Sequence, residues 1–180
     1  MLKKSLLALA IIVAVLIVVI ALRPAEFRVT RAAVIPGGPG LIFPHANDLR
    51  LWQAWSPWAK LDPQCRVTFD GPSAGVGAAF AWSGNNEVGV GRMAIVESRT
   101  GERVRYQLDF EKPFAGHSLA ELTFQPDPGG TRVTWTMTGT NNFIAKAFGL
   151  VIDCDKMIGG QFEQGLANLK AVVEATAKQP

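Results

Sequence analysis

Hydrophobic and polar positions along this 180-residue chain follow three different patterns, and each predicts a different kind of element. From Leu6 to Leu22 there is no alternation: LLALAIIVAVLIVVIAL is apolar throughout, with Lys3 and Lys4 before it and Arg23 after it. As a helix rising about 1.5 Å per residue, the run would be about 26 Å long, near the roughly 30 Å hydrocarbon core of a bilayer. From Cys65 onward the period becomes two. Val104, Tyr106, Leu108 and Phe110 alternate with Arg103, Arg105, Gln107 and Asp109, and Val133, Trp135 and Met137 alternate with threonines, as in antiparallel strands with one wet face. In the tail Ile158, Phe162, Leu166, Leu169 and Val173 recur at helical spacing, with Gln161, Gln164, Asn168 and Glu174 on other faces, which predicts a long amphipathic helix ending near Ala177.

The remaining segments fill in the order. A first strand is expected over Phe27 to Ile35, ended by the breaker Pro36-Gly-Gly-Pro-Gly40. Leu41 to Trp58 suits two short helices, the second capped by Asp48 and stopped at Ser56-Pro57. Shorter runs at Arg66 to Asp70, Ala78 to Trp82, Val88 to Ser98 and Leu119 to Gln125, separated by Gly, Asn and Pro clusters, bring the meander to about six strands after the first. Phe143 to Ile152 reads as helical and nearly all apolar, with Gly149, Gly159 and Gly160 as possible breaks before or within the tail helix. Together these predict an α+β domain with the long helix on one face of an antiparallel sheet. Gly159, Gly160 and Gly165 on that helix serve either close approach to the strands or space for a ligand.

The chain thus divides into an anchor, 1–23, and one domain, 24–180, large enough for a single core. The apolar run exits through Ala21-Leu22-Arg23-Pro24-Ala25 with no small-x-small cleavage pattern, so a retained single-pass anchor is favoured over a cleaved signal. Lys3 and Lys4 favour an inside N-terminus and a domain on the outer or periplasmic side; Arg23, Arg28 and Arg31 weaken that bias. Without Lys3, Lys4 and Arg23, the remaining 15 basic residues match 15 acidic ones. A neutral domain has no electrostatic footprint for phosphate backbones, so nucleic acid is not an expected partner. Cys65 and Cys154 lack zinc-type spacing; they pair with each other or stand as separate half-buried thiols, and no metal is expected.

Catalytic patterns are sparse. Gly71-Pro-Ser73-Ala-Gly75 matches a nucleophile elbow, with Asp109 and His117 following in order, but it is flanked by strands and Pro72 suits a β-turn. His45 and His117 read as solvent-exposed or capping side chains without telling neighbours. An enzyme reading would need His117 or a cavity carboxylate as acid/base, with Tyr106 as donor. Trp52 and Trp55, three apart on one helical face, plug one end of the core or frame a cavity entrance, while Trp58 after Ser56-Pro57 marks a hinge.

The order of elements and several words in the chain resemble the SRPBCC superfamily (START, Bet v 1 and polyketide cyclase-like proteins), in particular its membrane-tethered polyketide cyclase/dehydrase and lipid transport type. The words are Trp52-x-x-Trp55-Ser-Pro-Trp58 with Asp62-Pro63, Gly75-x-Gly77-Ala78, Trp82-x-Gly84-Asn85, Val88-Gly89-x-Gly91, Leu108-x-Phe110-x-Lys112-Pro113-Phe114, Asp155-Lys156-x-x-Gly159 and Phe162-Glu163-x-Gly165-Leu166-x-x-Leu169-Lys170. They cover about Phe27 to Glu174. The resemblance implies a helix-grip fold: a curved seven-stranded antiparallel sheet around the C-terminal helix, with an apolar cavity that in relatives holds lipids, sterols or polyketides.

Alternation then nominates the lining residues: Phe80, Trp82, Met93, Tyr106, Leu108, Trp135 and Met137 from the strands, opposed by Phe162 and Leu166 from the helix. A one-residue slip in register would exchange the whole set. The expected function is binding of a hydrophobic small molecule or lipid, with no cofactor and no catalytic set. The alternatives are a polyketide cyclase/dehydrase-like enzyme and an interaction module with a filled core. The Phe143 to Ile152 segment is ordinary core, closes the cavity, or dips into the lipid surface beside the anchor.

Overall fold

A computed structural model describes residues 2–151 and 153–177. The apolar N-terminal run forms α1 (Leu2–Leu22), whose Lys3–Leu22 portion is long and apolar enough to cross a membrane. Strand β1 (Glu26–Ile35) follows directly, then α2 (Pro39–Asn47), α3 (Leu49–Trp55) and a short 3-10 turn, Trp58–Lys60. The meander comprises β2 (Arg66–Asp70), β3 (Ala79–Ser83), β4 (Val90–Arg99), β5 (Arg103–Lys112), β6 (Gly116–Asp127) and β7 (Gly130–Thr140). Helices α4 (Phe143–Phe148) and α5 (Cys154–Ala177) complete the described residues.

Seven strands pair antiparallel in the order β1-β7-β6-β5-β4-β3-β2. Hairpins join β2 through β7 in sequence, and β1 returns beside β7, so the first and second strands are the two edges. Tight turns need glycine at some junctions. At Gly130, with φ of 132°, a side chain would run into the Ile35 carbonyl, and Gly101 turns β4 into β5 with φ of 71°. Asp48 caps α3 as expected, its carboxylate accepting from the Arg50 and Leu51 amides.

The inward face carries the core. Val29 and Ile35 of β1, Ile95 of β4, Val104 and Tyr106 of β5, Leu122 of β6, and Val133 and Trp135 of β7 are buried against Phe162, Leu166, Leu169 and Val173 of α5. Helices α2 and α3 close one end with Ile42, Phe43, Leu49, Trp52 and Trp55. The two tryptophans therefore plug the core. The outward face is ionic: Glu97 pairs with Arg99, Arg103 and Arg105, and Glu121 with Arg103 and Arg105. Such a lattice leaves the inner face for anything apolar.

Two expectations need correction. The break between the apolar segment and the tail helix falls at Gly149 to Asp153, while Gly159 and Gly160 lie inside α5; Ile152 lies outside the described residues. His45, expected at the surface, is buried on α2, and its own carbonyl accepts from Trp55 Nε1 at 2.9 Å. Burial pushes the His45 imidazole below its ordinary value, so the folded state holds it neutral. Between pH 6.5 and that lower value the unfolded chain binds more protons, and folding stability falls as pH falls through this window. Thermal denaturation scanned from pH 7 downward is expected to show this early loss, and His45→Leu to flatten it. Asp109 and Asp155 are held below the carboxylate value of 3.8 by hydrogen bonds from His117 and Arg31 respectively, so their contribution is lost only in stronger acid.

Candidate functional site

Burial along the inward face has a gradient. In β5 Val104 and Tyr106 are sealed, but Leu108 and Phe110 are half-buried; in β3 Phe80 is buried and Trp82 half-buried; in α5 Phe162 is buried and Ile158 half-buried. In every case the buried members lie toward α2 and α3, and the partly open ones toward the opposite end. The antiparallel pairing explains this. The starts of β1, β2, β4 and β6 and the ends of β3, β5 and β7 gather at that second end, away from α2 and α3.

The register sets out the floor of this mouth. One row across the sheet runs Phe80, Met93, Leu108, Ser118, Gly139, Phe27, and the next outward row runs Trp82, Gly91, Phe110, Gly116. Small residues sit between large rings. The Trp82 ring lies across Gly91, where a Cβ would be 2.6 Å from Cζ2, and the Phe27 ring lies across Gly139, where a Cβ would be 2.6 Å from Cε1. Trp82 also meets Phe110 edge-on at 5.8 Å, and its Nε1 donates to the Val88 carbonyl at 3.2 Å, which fixes the ring. A Cβ on Gly116 would meet nothing within 4 Å. The mouth is thus framed by rigid aromatic side chains and left open at Gly116, with Ser118 buried beneath it.

Of the nine nominated lining residues, the structure places seven in the buried core: Phe80, Met93, Tyr106, Trp135, Met137, Phe162 and Leu166. Trp82 and Leu108 are half-buried at the mouth. Trp135 and Phe162 stack face to face at 4.2 Å and 4°, and Trp52, Trp55 and Trp58 stand edge-on to Trp135 at 5.3, 5.4 and 5.8 Å. These rings occupy the space between sheet and helix at that level. Trp58 is accordingly part of this aromatic set rather than only a hinge. Phe27, Phe110, Ser118 and Ile158 belong to the mouth and escaped nomination. Phe110 and Ile158 continue the patterns of Leu108 and Phe162, so alternation pointed to them; Ser118 carries no such signal.

The helix glycines serve close approach. A Cβ on Gly165 would come within 2.7 Å of Trp135 Cζ3 and 3.2 Å of Pro57 Cδ, and one on Gly159 would collide with the Arg31 guanidinium. Arg31 clamps α5 to the edge strand β1, donating from Nε to Glu163 at 2.7 Å and from Nη2 to Asp155 at 2.9 Å. Gly165→Val is therefore expected to cost about 1–3 kcal/mol through overpacking. Gly160→Ala, where nothing lies within 4 Å, should gain up to about 1 kcal/mol in helix propensity. Urea denaturation of the two variants checks both signs.

The groups an enzyme reading would use are not brought together. Tyr106 points inward, donates its proton to the Ala46 carbonyl at 2.8 Å, and burial pushes its phenol well above the usual value. His117 lies on the outward register and is exposed, and it does have a neighbour: its Nδ1 is 2.6 Å from Asp109 Oδ1. Ser73 sits in the turn between β2 and β3, at the plugged end of the sheet, with Gly71 and Gly75 both at positive φ. Cys65 and Cys154 are separate free thiols, each partly buried. Among the described residues no group of three or more His, Cys, Asp or Glu side chains forms a metal-binding cluster.

Two open clefts flank the mouth. One, of about 700 Å³, runs over the rim past Phe27, Ser118 and Gly139 to Arg28, Gln107 and His117. The other, of about 590 Å³, lies where α1 joins the domain, between Arg23, Asn141, Lys146, Leu150 and Cys154.

This architecture has known counterparts. Residues 26–174 match the family model described as polyketide cyclase / dehydrase and lipid transport, and the chain belongs to that family. Protein CV1439 from Chromobacterium violaceum is similar at a TM-score of 0.59 and 19% identity, over 84% of this chain and 99% of that one. The di-domain ARO/CYC StfQ from the steffimycin biosynthetic pathway aligns at 0.61 and 13%, over 86% of this chain and 53% of that one. Ara h 8.0201 aligns at 0.57 and 11%, over 83% and 99%. At these identities the likeness establishes a shared fold. No curated protein matches the chain.

Proposed function

We propose that this chain is a membrane-anchored domain, residues 24–180 behind an anchor at 1–23, that takes a lipid or lipid-like hydrophobic molecule into the open end of its helix grip. The observation that carries the reading is the burial gradient, sealed at Tyr106 and Trp135 and open at Leu108, Phe110, Trp82 and Phe27. An apolar mouth framed by fixed rings supplies the burial that drives such binding, with Ser118 available to orient a polar atom of the ligand. The nominated set divides accordingly: Trp82, Leu108, Met137, Met93 and Phe80 line or underlie the site, while Tyr106, Trp135, Phe162 and Leu166 form its base. The family description, which spans cyclisation and lipid transport, agrees with a hydrophobic ligand. Binding is favoured over catalysis because Tyr106 has committed its proton to a backbone carbonyl and His117 lies on the other face of the sheet.

The anchor reading draws on α1, and its orientation on the lysines at positions 3 and 4. Those lysines favour the domain on the outer or periplasmic side, against the opposing arginines at 23, 28 and 31. The reading is tested by titrating full-length protein in detergent with fluorescent fatty-acid and sterol probes. Saturable uptake with displacement by unlabelled lipid is expected; no uptake of any probe would refute it.

A further inference from the structure

The end of the domain that carries the mouth also carries a contiguous exposed apolar face. Phe143, Ile144 and Phe148 of α4, Phe114 in the β5–β6 turn, Met157 at the start of α5 and Val151 before it are all exposed, Val151 at 89%. The Phe114 and Phe148 rings meet at 5.1 Å, so turn and helix form one surface. Scattered apolar side chains are normal on a protein surface; a contiguous group marks contact with something apolar.

Its covalent and hydrogen-bonded neighbours indicate what that is. Arg23 Nη1 donates to the Gly149 carbonyl at 2.7 Å, and Lys146 Nζ to the Ala21 carbonyl at 3.3 Å. Ala21 stands in the last turn of α1 and Arg23 directly after it, the level at which a spanning helix leaves hydrocarbon. Helix α4 is therefore held within one side chain's reach of the bilayer surface. Lys112, Lys146 and Lys156 lie within two residues of Phe114, Phe148 and Met157 in the chain, and Arg23 is bonded to the Gly149 carbonyl, so cations suited to lipid phosphates accompany the apolar group. Of the nearby acids, Asp155 is paired with Arg31, and Asp153 accepts from the Lys156 amide.

We infer that this face, formed by α4, Val151 and Phe114, lies in the headgroup and acyl boundary of the membrane that α1 enters, and holds the mouth of the grip against lipid. The inference rests on the anchor reading above. Aromatic side chains favour that depth, and Lys146 and Arg23 reach back to headgroup level. An apolar ligand then passes between leaflet and mouth without crossing water.

The test uses full-length protein with Cys65 and Cys154 replaced by serine, reconstituted in vesicles of phosphatidylcholine with a minor fraction of phosphatidylglycerol. Single cysteines at Val13, Phe148, Val151 and Glu102 each carry an environment-sensitive fluorophore. Lipids spin-labelled near the headgroup are expected to quench the labels at 148 and 151, lipids labelled deep in the chain to quench that at 13, and neither to quench that at 102, at the plugged end. Quenching at 13 with water-like, unquenched emission at 148 and 151 overturns the inference and leaves the anchor intact; this is also the result expected if a second protein covers the face. Loss of quenching at 13 overturns both.

Discussion

Trp135→Ala is expected to remove about 3–5 kcal/mol of folding stability, a large share of the roughly 5–15 kcal/mol typical of a domain. The ring is 2% exposed, stacked on Phe162 and ringed edge-on by Trp52, Trp55 and Trp58, so its loss empties a place where the sheet, α3 and α5 meet. Among the described residues its Nε1 has no oxygen or nitrogen partner, and its neighbours include ring faces and edges. Truncation therefore forfeits burial and dispersion and strands no hydrogen-bond partner. Urea denaturation of the full chain in detergent reads the effect. Phe114→Ala, at an exposed position, should stay within about 0.5 kcal/mol. A Trp135→Ala loss below about 1 kcal/mol would mean that the aromatic group does not carry the core.

Gly116→Trp should weaken uptake of apolar probes about tenfold or more, equivalent to about 1.4 kcal/mol, while leaving the denaturation midpoint nearly unchanged. Position 116 faces inward opposite Phe110, and an added Cβ there meets nothing within 4 Å, so an indole can enter the mouth without displacing backbone. Most bulky substitutions in a binding site confuse blocking with misfolding. Here the open geometry separates them. Equal probe affinity in the variant and the parent would place the ligand elsewhere, with the rim cleft past His117 the first place to look.

Much of the architecture was legible in the chain because one face of each strand is wet. The Arg103 to Phe110 and Val133 to Thr138 alternations fixed β5 and β7 and their inward sets, and the tail periodicity fixed the buried stripe of α5 from Phe162 to Val173. The burial gradient was not legible. Leu108 and Tyr106 carry the same pattern signal, and only the placement of α2 and α3 over one end makes Tyr106 core and Leu108 mouth. Ser118, Gly116 and Gly139 were equally silent, since a small residue on a strand reads as weak pattern until its cross-strand neighbours, Leu108, Phe110 and Phe27, are known. His45 was misplaced for a related reason: it lies on the side of α2 that carries Ile42, Phe43 and Ala46 into the core, while Gly40 and Pro44 take the exposed side.

Ligand binding in the grip is tested most directly by native mass spectrometry of the full chain, extracted gently from membranes, followed by lipid analysis. An apolar molecule retained at a fixed ratio to the protein and lost from Gly116→Trp is expected. A chain that emerges empty from a lipid-containing host and takes up no fatty-acid or sterol probe would contradict it.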